Sequence, residues 1–219
     1  MKNSLLLPIA LAIAILNHPA ASGAPISIHS TGTNGSGVDP YYTITASTDP
    51  GVTAKSPAYT DVSRAGGWAP AISGTNWINP SHSGSGGQSF GIYSYTYSTT
   101  FDLAGLNPAT ATLSGLLQAD DEVTLFLNGT QVSSSNIGTY TRTTPFSIGS
   151  NYSAAFLPGL NIFSFFVTNS GNYATGFDAA VSGTATSETP EGGSFAMISL
   201  AGIILTGIGI RRKRHPVTA

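Results

Sequence analysis

Alternating apolar and polar positions run through the middle of the chain and predict β-strands. The clearest stretch is Gly91 to Leu103 (GIYSYTYSTTFDL), in which every second residue from Tyr93 to Phe101 is Tyr, Thr or Phe. Successive side chains of a strand point to opposite faces, so the face made by Tyr93, Tyr95, Tyr97, Thr99 and Phe101 should be buried.

Further strands are predicted where the same alternation or an apolar run recurs between turn-forming residues. The dipeptide Asn128-Gly129 indicates a type I′ turn, which would pair the strands on either side of it. The other predicted strands are Tyr41–Ala46, Ala111–Gln118, Glu122–Asn128, Thr130–Ser133, Leu160–Thr168 and Phe177–Thr186.

Many short strands without a convincing amphipathic helix favour an all-β, antiparallel β-sandwich. The predicted sandwich domain occupies residues 25–181. The Ser, Gly and Thr-rich residues 182–193 (SGTATSETPEGG) are predicted to be a flexible tether.

The N-terminal segment has the features of a secretory signal peptide, predicted over residues 1–24. A positive start at Lys2 precedes an apolar run from Leu5 to Leu16, and small residues follow at 20–24. The run is too short to span a bilayer comfortably, which favours a cleaved signal over an anchor. Pro25 disfavours a cut directly after Ala24, so cleavage is expected slightly earlier.

A second apolar segment near the C-terminus predicts a transmembrane helix. Residues 194–210 carry no charge, and a helix of that length reaches about 25 Å, the lower end of a membrane span. Residues 211–219 then form a basic tail, which is expected to stop transfer and remain cytoplasmic. The stop-transfer cations are Arg211, Arg212, Lys213 and Arg214.

With both ends removed, the body of the chain is acidic. Residues 25–188 contain three Lys or Arg against nine Asp or Glu, a net charge of −6. This balance is a poor match to a phosphate backbone, so nucleic acid is not an expected partner. The chain has no Cys, which excludes disulfides, thiolate metal sites and a Cys nucleophile.

Candidate chemistry in the body is sparse. Asp120, Asp121 and Glu122 form its only carboxylate cluster, which could bind Ca²⁺ with loop carbonyls or be a solvated acidic turn. No other cofactor is expected. His29 and His82 are interpreted as surface residues. No Gly-x-Ser-x-Gly elbow is present, and the protein is predicted not to be an enzyme.

Trp68 and Trp77 flank a stretch rich in Gly, Asn and Pro. Exposed aromatic rings stack on sugars, so both residues are candidate glycan contacts. Trp is also buried on average, so the alternative is that both rings are wedges beneath loops.

The order of Pro190-Glu191, an apolar helix and an Arg cluster resembles the PEP-CTERM sorting signal. Thr189 and Gly192 stand where that family has Val and a second Pro. The resemblance implies cleavage at Pro190-Glu191 by an exosortase-type membrane protease. It further implies a Gram-negative bacterium that makes exopolysaccharide.

The body resembles the galactose-binding-like jelly roll often found before such signals. The resemblance rests on "YSYTYSTTFDLAGLNPATATLSGLLQADDEVTLFLNGT", "FLPGLNIFSFFVTNSG" and "GFDAAVSGTA", within residues 68–186. Leu116-Leu117 and Phe177-Asp178 depart from the Arg-Trp and Leu-Arg of relatives. That fold hosts carbohydrate-binding modules and also many domains without a known ligand.

Together these features predict an exported cell-surface or extracellular-matrix protein. It would be cut by signal peptidase, held at the inner membrane and then processed by the exosortase. Its sandwich would bind carbohydrate, such as exopolysaccharide, weakly. The alternatives are a purely structural matrix protein and an uncleaved single-pass membrane protein with a periplasmic domain.

Overall fold

A computed structural model describes residues 23–80, 91–171 and 173–188. The predicted sorting motif at Pro190-Glu191, the predicted membrane segment and its basic tail lie outside these residues, as does most of the predicted signal peptide. No helix within the described residues is both long and apolar enough to cross a membrane.

The regular secondary structure of the described residues is almost entirely β-strand. Only two short 3₁₀ turns interrupt it within these residues, at Pro108–Thr110 and Ser150–Ala155. The strands are β1 (Ala24–Pro25), β2 (Gly37–Ser47), β3 (Ser56–Asp61), β4 (Trp77–Asn79), β5 (Ser94–Asp102), β6 (Thr112–Asp120), β7 (Glu122–Leu127), β8 (Thr130–Gln131), β9 (Thr144–Ile148), β10 (Leu160–Thr168) and β11 (Gly176–Ala185).

The strands form one continuous antiparallel sheet in the order β8-β7-β10-β5-β2-β3-β4-β11-β6-β9, and β1 pairs with β11. The sheet curls so that the half from β8 to β2 faces the half from β3 to β9. From β5 onward, most consecutive strands lie in opposite halves, the kind of connection that jelly rolls use. The prediction of an all-β antiparallel fold is therefore confirmed, with one curled sheet supplying both layers.

Aromatic side chains fill the space between the two halves. Tyr95 and Tyr97 on β5 and Phe165 on β10 are fully buried, and they face Phe177 on β11. The ring centroids of Phe165 and Phe177 lie 4.5 Å apart, and those of Tyr97 and Phe177 lie 5.8 Å apart. Burying each such ring stabilises the fold by about 1.5–3 kcal/mol. The predicted buried face is confirmed for Tyr95, Tyr97, Thr99 and Phe101, whereas Tyr93, just before β5, is partly buried.

The turn between β7 and β8 is of the predicted kind. Asn128 and Gly129 both have positive φ, at 50° and 81°, as a type I′ turn requires. The Asn128 side chain also donates to the carbonyl of Ala155 and to Asn161 Oδ1, each at 2.8 Å. These contacts attach the hairpin to the loop that precedes β10.

The domain extends further toward the C-terminus than predicted. β11 continues through Ala185, and the amide of Glu188 donates to the carbonyl of Gly105 at 3.0 Å. Residues 182–188 therefore belong to the folded domain, and the predicted tether is wrong over that range. Its Ser, Gly and Thr content resembles a linker, but residues 182–184 pair with β6, Ala185 pairs with β1 and Ser187 forms a bridge with Leu106.

Candidate functional site

Residues 62–76, called here the covering segment, lie over the outer face of β4, β6 and β11. The sheet beneath presents Gln118 and Asp178, both completely buried. Alternation alone would place these polar side chains in solvent, because their neighbours Leu117 and Ala179 face the core. The covering segment thus creates a second buried layer outside the main core.

Both tryptophans belong to this second layer. Trp68 is 4% exposed and Trp77 is 1% exposed, and their rings stack with centroids 4.2 Å apart. Trp68 Nε1 donates to Asp120 Oδ2 at 2.7 Å, and Trp77 Nε1 donates to the carbonyl of Ala69 at 3.2 Å. Neither ring offers a face to a sugar. The prediction that they contact glycan is wrong, because the covering segment encloses them.

Asp178 holds the covering segment to the sheet. Its Oδ1 accepts hydrogen bonds from Thr31 Oγ1 at 3.0 Å and Thr75 Oγ1 at 2.5 Å. Its Oδ2 accepts from the Ile72 amide at 2.9 Å and Gln118 Nε2 at 2.8 Å. Burial raises the pKa of Asp178, although these four donors favour the ionised form. The arrangement joins three separated parts of the chain.

Asp178 was not among the predicted site residues. Its signal in the sequence was a lone carboxylate within an otherwise apolar strand, Phe177 to Val181 (FDAAV). Buried carboxylates require hydrogen-bond donors, so such a residue indicates a covered rather than a solvated face. The covering segment, which is distant in sequence, supplies two of those donors, and Thr31 and Gln118 supply the other two.

Asp120 and Asp121 form a carboxyl pair at the junction of β6 and β7. Burial raises the pKa of Asp120 to about 7, and the hydrogen bond to Asp121 and the negative charge of Asp121 act in the same direction. The hydrogen bond from Trp68 lowers this pKa and only partly offsets the rise. Burial alone would raise the pKa of Asp121, but bonds from the hydroxyl and amide of Ser170 and from Asp120 lower it. The pair therefore holds one proton, located on Asp120, at pH below about 7.

This geometry does not form the predicted calcium site. Asp120 faces Trp68, Asp121 accepts from Ser170 at 2.5 and 2.7 Å, and Glu122 begins β7 opposite Thr168. Within the described ranges, no three His, Asp or Glu side chains come together as metal ligands. The alternative of a solvated acidic turn is wrong for Asp120, which is 9% exposed.

His29 is partly exposed and stacks on Tyr41, with ring centroids 3.5 Å apart and planes 8° from parallel. Its carbonyl accepts a hydrogen bond from the hydroxyl of Tyr42 at 2.9 Å. The interpretation of His29 as a residue at the surface agrees with this placement. His82 lies outside the described residues.

The outward side of β2, β5, β7 and β10, called here the open face, carries a row of hydroxyl groups. Thr45 Oγ1 and Ser98 Oγ lie 2.9 Å apart, and Ser98 Oγ and Ser164 Oγ lie 2.8 Å apart. Two half-buried aromatic residues lie beside this row: Phe126 is directly opposite Ser164 on β7, and Phe166 is two residues further along β10 on the same face. Ser98 is itself buried, so the face presents the hydroxyls of Thr45 and Ser164 next to aromatic surface, an arrangement that sequence reasoning did not identify.

Comparisons with known proteins assign the chain to no family. No protein-family model and no curated protein matches it. A Stig cyclase, FisC, from Fischerella sp. TAU is 17% identical, with 77% of this chain and 100% of that chain covered and a TM-score of 0.40. The carbohydrate-binding module CBM35 from Paenibacillus barcinonensis is 12% identical, with 65% and 98% covered and a TM-score of 0.32.

A β-glucosidase from Kluyveromyces marxianus is 12% identical over 43% of this chain, with a TM-score of 0.30. The matched region spans 12% of that enzyme's length. At TM-scores of 0.40 and below, none of these likenesses assigns a ligand or an activity to this chain.

Proposed function

We propose that this chain is an exported, non-enzymatic structural protein of the cell surface or extracellular matrix, sorted by an exosortase-type protease. The observation that carries the proposal is how close the sheet comes in sequence to the motif. β11 ends at Ala185, Ser187 forms a bridge with Leu106, and Pro190-Glu191 follows three residues later in the sequence. The motif thus begins just beyond the sheet, next to an uncharged segment and four cations.

The burial of both tryptophans favours a structural role over sugar binding at those residues. A net charge of −6 over residues 25–188 suits a hydrated matrix, since it keeps the domain soluble. In this proposal signal peptidase removes the N-terminal segment. The C-terminal helix anchors the chain at the inner membrane until the exosortase cuts.

The test is intact-mass analysis of the protein from its native host, beside a host that lacks the exosortase. We expect a C-terminus near Pro190 in the wild-type host and near Ala219 in the deletion host. The Glu191→Ala variant should also retain its C-terminus, whereas the control Glu188→Ala, outside the motif, should be processed normally. A chain intact through Ala219 in both hosts would instead establish an uncleaved single-pass membrane protein.

A second candidate function, weak binding of a neutral polysaccharide, is supported by the open face. Hydroxyl groups in a row beside aromatic surface can bond and stack on sugar rings. We expect Phe166→Ala to abolish the retardation of the protein in affinity electrophoresis through host exopolysaccharide. The control Tyr173→Ala removes an exposed aromatic residue from the loop before β11, away from the open face. If wild-type protein migrates unretarded, the purely structural role stands alone.

A further inference from the structure

Three exposed apolar side chains are grouped around the start of β10. Leu157 is 46% exposed, Leu160 is 66% exposed and Ile162 is 46% exposed. Leu160 and Ile162 are two residues apart on a strand, so both project from the same side of the sheet. The three residues are called here the exit-end patch. Exposed apolar groups that cluster in this way indicate an interaction surface.

The patch lies at the end of the domain from which the chain leaves. Leu160 pairs with Asp102, and the Leu103 amide donates to the Gly159 carbonyl at 2.9 Å. A few residues further on, Leu106 forms a β-bridge with Ser187. The last described residues and the exit-end patch therefore flank the same short stretch, residues 102–106.

The chain that follows is too short to hold this end far from a membrane. Six peptide steps separate residue 188 from residue 194, where the predicted membrane segment begins. Fully extended, they reach about 20 Å. While the chain is uncut, the end that bears the patch must stay within that distance of the bilayer.

We propose that the exit-end patch lies on the surface of the phospholipid bilayer while the protein is anchored. This inference depends on the membrane anchor of the proposed function. The three apolar side chains enter the boundary between headgroups and acyl chains, removing their exposed area from water. The domain is thereby held in one orientation, with the patch against the lipid.

The charged residues near the patch do not provide an electrostatic attraction to lipid, so the proposed contact is apolar. Asp102 and Glu188 are exposed carboxylates beside it. The three cations of the described body, Lys55, Arg64 and Arg142, lie in other loops. Attachment should therefore persist on vesicles of neutral phosphatidylcholine and in high salt, where a contact made by basic residues would weaken.

The absence of Cys from the chain allows a direct test by site-directed spin labelling. Full-length protein carrying Leu160→Cys is labelled and reconstituted into phosphatidylcholine vesicles, and its accessibility to oxygen and to a water-soluble nickel chelate is measured. The matched control is Tyr173→Cys, because Tyr173 is 84% exposed and precedes β11. The ten residues of β11 place it about 30 Å from the exit end.

We expect the label at position 160 to be more accessible to oxygen than to the nickel chelate, as in lipid. The label at position 173 should be more accessible to the nickel chelate, as in water. Adding Leu157→Ser and Ile162→Ser should make the label at position 160 more accessible to the nickel chelate than to oxygen, as in water. If the protein floats with vesicles but both labels are aqueous, the inference is overturned and the anchor stands. If the protein does not float with vesicles, both the membrane anchor and the contact of the patch with lipid are contradicted.

Discussion

At the scale of single residues, the sharpest contrast is between Asp120 and Asp121. The two carboxyl groups are adjacent in sequence, yet burial raises the pKa of Asp120 to about 7 while Ser170 and Asp120 lower that of Asp121. Two neighbouring carboxylates repel each other, which disfavours ionisation of both groups, so one of them keeps a proton. Because Asp120 is the more buried of the two, its pKa is the one that rises.

The pair predicts a pH dependence of stability. Because the pKa of Asp120 rises from 3.8 unfolded to about 7 folded, folding takes up a proton between these values. The free energy of unfolding should therefore fall as pH rises from about 4 to about 7. Asp178, whose pKa burial also raises, contributes with the same sign. Stabilisation from Asp121, whose pKa is lowered, is lost only as pH falls below about 4.

The variant Asp120→Asn should flatten this dependence, because its amide replaces the protonated carboxyl and can donate to Asp121. Urea unfolding between pH 4.5 and 7.5, followed by the emission of Trp68 and Trp77, measures the slope. We expect the variant to exceed the wild type in stability at the upper pH. The control Asp102→Asn removes an exposed carboxyl. An unchanged slope in Asp120→Asn would contradict the assignment.

At the scale of elements, the covering segment is the part of the fold that depends most on polar bonds. It contributes few large apolar groups besides Trp68 and Ile72, and Asp178 supplies acceptors for the Ile72 amide and the Thr75 hydroxyl. Segments of this kind open before the sheet does, since their apolar contacts are few.

Replacing Asp178 with Ala should release the covering segment. Four buried donors lose a hydrogen bond to the carboxylate; the hydroxyls and Gln118 also bond backbone carbonyls, whereas the Ile72 amide bonds Asp178. We expect a cost of about 1–3 kcal/mol in the free energy of unfolding. Hydrogen exchange at the Ile72 amide should accelerate, and Trp68 emission should shift to the red as water enters. The exposed control Asp102→Ala should change neither. A protected Ile72 amide in Asp178→Ala would show that Asp178 does not hold the segment.

The strands that sequence predicted most clearly have one buried face. Alternation located β5, β7 and β10, and the predicted bounds of β10 coincide with the observed strand. β4 was missed because all three of its residues are buried, so its pattern shows no alternation. β9 was missed because it is short and contains Pro145, which an edge strand tolerates.

The candidate site was less predictable than the fold, for a related reason. Trp68, Trp77 and Asp120 were singled out by residue type, but the covering segment decides whether each is exposed. That segment forms no strand among the described residues and meets partners more than 40 positions away, such as Asp120 and Asp178. A local sequence pattern indicates the strand to which a residue belongs. It does not indicate whether a loop distant in sequence covers that residue.

At the scale of the whole molecule, the two ends of the domain differ. One end carries the carboxyl pair, Ser170 and the exposed Tyr173. The other carries the exit-end patch, the last described residues and β1, whose Ala24 pairs with Ala185. Both termini of the described chain therefore lie at the same end. An anchored protein would present the end with the carboxyl pair away from the membrane.

The strand that leads out of the domain also determines how the molecule resists tension. β11 pairs with β6 over nine residues, from Gly176 opposite Asp120 to Thr184 opposite Thr112. Antiparallel hydrogen bonds run perpendicular to the strands. A pull on the C-terminal end along β11 would shear the bonds of this ladder together instead of unzipping them one at a time. In an anchored protein, a load carried along β11 toward the far end of the domain would be borne by all nine residue pairs of this ladder at once.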